Sequence, residues 1–325
     1  MNVRRANFVA ALGMVAALLG SVPSAQGPNR LPMPLEPFGD AGEAVFPVFE
    51  GWAEAKDGSG YFLVMGYKNR NRTETIEVPV GPNNRIEPGG PDYGQPTVFE
   101  PGRHETHFAI KVPKDFGQKK LTWTIVANGQ TAAITFFLNP EYNMLVYRED
   151  ANGNDPPEAR FAPNGPPLVG PNAGFAQQLT GTVGQPVTLK MWASDAPPTE
   201  KNWENIVSAQ NRPKPVPPGR DQIAIVGGQV LNAGGGPARP ANTAPPADIT
   251  AVWQKFRGPG KVTISPSGGV PLVTNGNPKT VAEATATATF SAPGEYWLRA
   301  EPVEADDGYD GMCCFTFAMV KVTVK

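Results

Sequence analysis

Cys313 and Cys314 are the only cysteines of the chain, and adjacent thiols can do few things. Neighbouring α-carbons lie about 3.8 Å apart across a trans peptide, below the usual disulfide separation of about 4.4–6.8 Å. A bond between the two would close a small, strained and easily reduced ring. On a regular strand adjacent side chains point to opposite faces; the structural alternative is one thiol buried as a small hydrophobe and the other turned outward. Met312 adds a soft sulfur, so a soft-metal site is a third alternative. The run before them, with Glu304, Asp306, Asp307 and Asp310, offers hard oxygen ligands for calcium, but without the regular acidic spacing and distal Glu of a dedicated calcium loop. No cofactor is predicted; calcium or a soft metal is the chemistry these residues could support.

His104 and His107 are the only histidines. A spacing of four on a helix suits zinc, but here the spacing is three and the context reads as a strand. Phe108, Ile110 and Val112 share one face, which puts His104 at its edge and His107 on the opposite face with Ala109 and Lys111. The imidazoles are therefore expected to diverge, as solvent-facing or loop-anchoring groups. Both lie far in sequence from the cysteines, which argues against a thiol nucleophile with a histidine base. Tyr67, Asn69, Arg70 and Tyr93 form a polar, aromatic set of the kind that could hold a sugar ring between an aromatic face and amide or guanidinium groups. A turn-rich loop needs the same residue types simply to turn. No phosphate-cradling glycine loop, dinucleotide fingerprint, CxxC or nucleophile elbow stands in a suitable strand-helix setting.

The elements that must position these residues are strands. The chain has 325 residues with 36 glycines and 37 prolines, far above the usual share of turn formers. Its net charge of -2 gives no electrostatic footprint for nucleic acid. Residues 1–27 read as a cleavable export signal: Arg4 and Arg5 precede an apolar stretch, Phe8 to Gly20, and the small-residue region Ser21 to Ala25. The Sec route is expected in preference to the twin-arginine route, because Phe8 falls one position late for the latter. The expected location is periplasmic or extracellular, with no transmembrane segment after signal cleavage.

Alternating runs predict strands over Val45–Glu54, Tyr61–Lys68, Thr73–Val80, His104–Val112, Leu121–Ala127 and Thr131–Leu138, with Asn128-Gly129 as a type I′ hairpin turn. A Pro/Gly-rich stretch within 146–177 reads as an extended linker. Further strands are predicted over Gln178–Val183, Pro186–Ala193, Ile249–Arg257, Lys261–Ser265, Val281–Phe290, Glu295–Glu301 and Phe315–Lys325. The fold class is all-β: an N-terminal β-sandwich over 40–145, and a second, immunoglobulin-like sandwich over 178–325 with a long Pro/Gly-rich insertion between strands B and C at 194–248. The insertion is expected to hold a short helix, Thr199 to Ala209, and an apolar hairpin or edge strand, Ile223 to Leu231.

The run from Ala288 through Pro293-Gly294-Glu295-Tyr296-Trp297-Leu298-Arg299-Ala300, with the terminal Val320-Lys321-Val322-Thr323-Val324, resembles the E, F and G strands of polycystic-kidney-disease-type and related bacterial immunoglobulin-like domains. Val252-Trp253 through Gly258-Pro259-Gly260 resembles their C strand and following turn. The resemblance implies a tyrosine corner at Tyr296 and a core tryptophan at Trp253, and a role as spacer or binding module on secreted proteins. The N-terminal half resembles uncharacterised secreted bacterial proteins.

Immunoglobulin topology brings the B-C and F-G loops to one end, so the expected binding surface is Asp306, Asp307, Asp310, Met312, Cys313 and Cys314. The expected function is a non-catalytic binding or accessory protein of the bacterial envelope, with an envelope protein or a polysaccharide as partner. The alternatives are a redox or metal-linked accessory protein or enzyme using the cysteine end, and a carbohydrate-binding module. Two structural expectations complete the reading. Each half has strands enough to fold separately. The last strand is apolar at Phe315, Phe317 and Met319 but then at Val320, Val322 and Val324, a change of parity that demands a bulge or a second apolar cover; the insertion is expected to be that cover.

Overall fold

The computed structural model describes residues 39–148, 153–196, 222–226, 229–233, 248–274, 277, 279–304 and 314–325. The export signal, the helix expected over 199–209 and the stretch 305–313 lie outside the described residues.

The first half contains strands β1 (Val45–Glu54), β2 (Gly60–Asn69), β3 (Ile76–Glu77), β4 (Asn84–Glu87), β5 (Val98–Phe99), β6 (Gly102–Pro113), β7 (Leu121–Ala127) and β8 (Gln130–Phe136). They form sheets in the orders β1-β2-β6 and β4-β7-β8, with β3-β5 as a short pair. Leu63, Met65 and Phe108 of the first sheet share one core with Ile86, Trp123 and Phe136 of the second. Asn128 and Gly129 both take positive φ between Ala127 and Gln130, as the turn between β7 and β8 requires. Asn84 is fully buried in β4. It accepts a hydrogen bond from Trp123 Nε1 and donates to the carbonyls of Val78 and Pro96, so one amide satisfies three buried groups.

The second half contains β9 (Glu158–Arg160), β10 (Phe175–Gly181), β11 (Pro186–Ser194), β12 (Gln222–Val226), β13 (Gln229–Ala233), β14 (Ile249–Arg257), β15 (Val262–Ser265), β16 (Val270–Leu272), β17 (Ala282–Phe290), β18 (Gly294–Glu304) and β19 (Ala318–Val324). One sheet runs β9-β11-β17-β15, the other β10-β19-β18-β14-β16, and β12-β13 is a separate hairpin. These are the A-B-E-D and C-F-G neighbours of an immunoglobulin-type sandwich, the second sheet extended by β10 and β16. Tyr296 Oη donates to the carbonyl of Ala292 at 2.8 Å, which closes the tyrosine corner. Gly258 (φ 135) lies under that ring, where a Cβ would stand 2.1 Å from Tyr296 Cδ1.

The segment expected as a linker is part of the fold. Val146 is buried in the first core, β9 pairs with β11, and β10 lies parallel to β19. Prolines around β9 hide it from a pattern search, because a three-residue edge strand shows no period; β10 begins three residues before the strand predicted at Gln178.

The parity change in the last strand is real, and the first sandwich supplies a second cover. Val320, Val322 and Val324 enter the core of the second sandwich. Phe317 and Met319 face the other way and join the core of the first, together with Phe256; Trp297 and Phe315 pack against it. A bulge between Lys255 and Arg257 turns Phe256 outward. The five-stranded sheet is thus covered on both faces, by its own partner sheet and by the first sandwich. Residues Gly39–Lys325 form one compact unit, and this shared apolar layer bears directly on the expectation of separately folding halves.

Candidate functional site

Ile249, where the chain returns from the insertion, is the register partner of Glu304, where it leaves for the F-G loop. The end of the second sandwich therefore emits both loops side by side. Segment 153–158 braces it. Asn154 Nδ2 donates to Glu304 Oε2 at 3.0 Å, and Ser194, the last residue of β11, pairs with Glu158. Asp248 accepts from the Thr274 backbone N–H at 2.8 Å and from its hydroxyl at 2.6 Å, fixing the second root of the insertion. Thr316 Oγ1 is buried and accepts from Gly170 N–H at 3.0 Å.

Cys314 is disulfide-bonded, buried, and in the left-handed region at φ 63; the only other cysteine of the chain, Cys313, lies outside the described residues. Cys314 Sγ rests 3.2 Å from the carbonyl oxygen of Asn154, a close contact and not a hydrogen bond, because a bonded sulfur carries no proton to donate. Of the expected binding residues, Asp306, Asp307, Asp310 and Met312 lie outside the described residues too. Beside this end a cleft of about 270 Å³ is lined by Lys56, Tyr147, Asp155, Glu158, Ser194 and Asp195, among others. Burial pushes the Tyr147 phenol up, so it remains a neutral hydroxyl at physiological pH. The cleft joins carboxylates from the brace to a lysine of the β1-β2 hairpin.

The sugar-binding face expected at Tyr67, Asn69, Arg70 and Tyr93 is not assembled. Tyr67 is 1 % exposed and accepts from Glu100 N–H at 3.0 Å. Asn69 is buried and donates to the carbonyls of Glu74 and Phe99. Arg70 lies beside Glu43, and Tyr93 is only partly exposed, its backbone N–H donating to Gln95. An aromatic residue among amides is equally the pattern of a core anchor with side chains that satisfy buried backbone.

The histidines do not diverge. Thr106 takes φ 43, and the β2-β6 register shifts at that point, with Met65 opposite Phe108 but Tyr67 opposite His104. Alternation does not survive such a bulge. His104 stacks on Tyr67 at 4.5 Å, His107 meets the edge of the same ring at 4.9 Å, and the two imidazole centroids are 5.6 Å apart. Gly66 faces the bulge because any side chain there would collide: a Cβ would stand 2.4 Å from His104 O and 2.1 Å from Glu50 Oε1. Across the junction, Arg299 of β18 donates from Nε to His107 O at 2.9 Å and from Nη2 to Thr106 O at 3.2 Å, and pairs with Glu301. Arg257 of β14 donates to Gln95 O at 2.7 Å and bidentately to Asp92 at 2.8 and 3.0 Å, while its guanidinium lies 4.1 Å from the Trp297 ring centre. That guanidinium holds the Asp92 carboxyl below its ordinary range. Neither arginine was legible as a clamp; the available signal was that Trp297 and Arg299 share the parity opposite to Tyr296, Leu298 and Ala300.

No family model matches this chain, and no curated protein matches it. Among solved structures, it shows similarity to the S-layer protein SbsC domains 4 and 5, at 11 % identity over 87 % of this chain and 98 % of that one, with a TM-score of 0.22. It also shows similarity to a protein of unknown function from Porphyromonas gingivalis W83, at 5 % identity over 86 % and 100 % of the two chains, TM-score 0.23. A third is an endo-fucoidan hydrolase of glycoside hydrolase family 107, at 10 % identity, TM-score 0.19, covering 88 % of this chain and 30 % of that one. Likenesses of this size carry no reading of the present chain. The β-sandwich topology stands without a family assignment.

Proposed function

We propose that the protein is an exported, non-catalytic binding or accessory protein of the cell envelope, and that it captures its partner with the loop end of the second sandwich. The observation that carries this is the pairing of Ile249 with Glu304: both long loops leave from adjacent positions on a scaffold braced by Asn154 and joined rigidly to the first sandwich. Loops fixed at their roots on a rigid body are the usual carriers of recognition. The export-signal pattern of residues 1–27 supports the location. Affinity capture from native envelope with the full chain tests the reading. The triple substitution Asp306→Asn, Asp307→Asn and Asp310→Asn is expected to abolish capture while leaving the melting temperature unchanged; undiminished capture by that variant would overturn it.

Carbohydrate binding is a second reading, favoured by one observation. A groove of about 270 Å³ on the first sandwich is lined by Phe49, Phe136, Phe137, Asn139 and Tyr142, among others. Tyr142 is 49 % exposed, on a short turn capped by Asn139, whose side chain accepts from Glu141 N–H. The half-exposed Tyr142 ring beside the partly exposed Phe49 and Phe137, with one amide, suits the apolar face of a sugar. If polysaccharide binding is found and Tyr142→Ala removes it while the triple loop variant does not, this second reading replaces the first.

A further inference from the structure

The interface between the two sandwiches contains both histidines of the protein, and burial there disfavours a charge on either ring. His107 is 3 % exposed. Phe256 of the second sandwich stacks on it at 5.3 Å, Gln254 Nε2 lies 3.3 Å from its Nδ1, and its Nε2 is buried with no hydrogen-bond partner. Arg299, Glu50 and Glu301 are already engaged. Arg299 sits on the His107 carbonyl and pairs with Glu301. Glu50 is held by Arg103, which also lies 3.8 Å from Glu105. The Pro101 carbonyl, 3.2 Å from His104 Nε2, and the charges of Glu100 and Glu301 favour a proton on His104, but not enough to offset its burial.

We propose that this interface is an acid-released latch: a proton on His107, reinforced by one on His104, places new positive charge against Arg299 and parts the two sandwiches, withdrawing Phe256, Phe317 and Met319 from the first core while the hydrogen-bonded sheets on either side persist. It does not depend on what the loop end binds.

The direction follows from linkage. Burial, with Arg299 and His104 adding to it, holds His107 well below its ordinary value, and burial lowers His104. A group depressed in the closed state binds more protons in the open one, so closure is fully favoured above about pH 6.5 and is lost as pH falls towards the closed-state value. Within that window each proton taken up on opening shifts the equilibrium about tenfold per pH unit. Glu50 acts in the opposite sense, since burial raises its carboxyl, but its partner Arg103 belongs to the same sandwich and the pair is not divided by opening.

The Thr97 amide reports the latch, because it donates across the interface to Phe256 O at 3.1 Å. In the full chain, hydrogen exchange at Thr97, corrected for the intrinsic pH dependence, is expected to lose about tenfold to a hundredfold of its protection between pH 7.5 and 5.5. Amides of β7 and β17, inside the separate cores, should stay protected. His107→Phe is expected to keep Thr97 protected at both pH values, and if that variant does not fold, His107→Gln serves in its place. The two histidine signals in a nuclear magnetic resonance titration should move over the same pH range as the loss at Thr97. Equal protection of Thr97 at pH 7.5 and 5.5, or the same loss in the histidine variant, or histidine titration outside that range, would each overturn the proposal.

Discussion

Arg299 is 3 % exposed, and its cost of removal follows from what it leaves behind. Without it the buried carbonyls of Thr106 and His107 lose their partner, and the partly exposed carboxylate of Glu301 loses its ion pair. Breaking a buried charge arrangement from one side costs about 3–5 kcal/mol, so Arg299→Met should lower the urea midpoint by that equivalent. Lys190→Met, by contrast, removes an exposed pair with Glu283 and should leave the midpoint where it is. Gly66→Ala is expected to destabilise by about 1–3 kcal/mol, since its Cβ would meet a backbone carbonyl that cannot move without undoing the bulge. Urea denaturation of the three variants at pH 7.5 checks the ranking. These sites show where residue-level reading of the sequence stops. His104 and His107 were legible as an unusual pair, but their convergence depends on positive φ at Thr106, and nothing in a Glu-Thr-His run announces a bulge. Tyr67 and Asn69 were legible as a polar aromatic set, yet whether such a set faces water or a core is decided by distant strands.

Alternation served well for the longer strands. β1, β7 and β14 have the bounds their patterns predict, because each has one face in a core and a period of two carries that information. Short elements escaped: β5 and β9 are two and three residues long, too short for any period, and of the strand predicted over Thr73–Val80 only Ile76–Glu77 forms. The parity change in β19 was legible as a demand for a second cover, but the pattern of one strand cannot say which surface answers it. The first sandwich does, and this gives a test at the scale of the element. Phe317→Ala empties a buried position between two layers and should cost about 3–5 kcal/mol, whereas removing residues 212–220 and 234–247 of the insertion should not mimic it. A loss of similar size on deleting the insertion would mean that the insertion, and not the first sandwich, closes that face. At the tyrosine corner, Tyr296→Phe removes one hydrogen bond to Ala292 O and should cost about 1 kcal/mol, read from the same denaturation curves.

At the scale of the whole molecule the structure describes one body built from two sandwiches, with the sheet β10-β19-β18-β14-β16 shared between two cores. Arg257 and Arg299 hold the junction from the second sandwich, and Lys255 reaches Glu77 at 2.6 Å from the same strand as Arg257. Differential scanning calorimetry of the full chain at pH 7.5 tests this most directly. A shared layer predicts a single transition whose calorimetric and van't Hoff enthalpies agree, and Arg299→Met should move that whole transition down by roughly 2–4 °C for each kcal/mol lost. Two separate transitions at pH 7.5, only one of them displaced by Arg299→Met, would contradict the account and return the molecule to two independent domains on a linker.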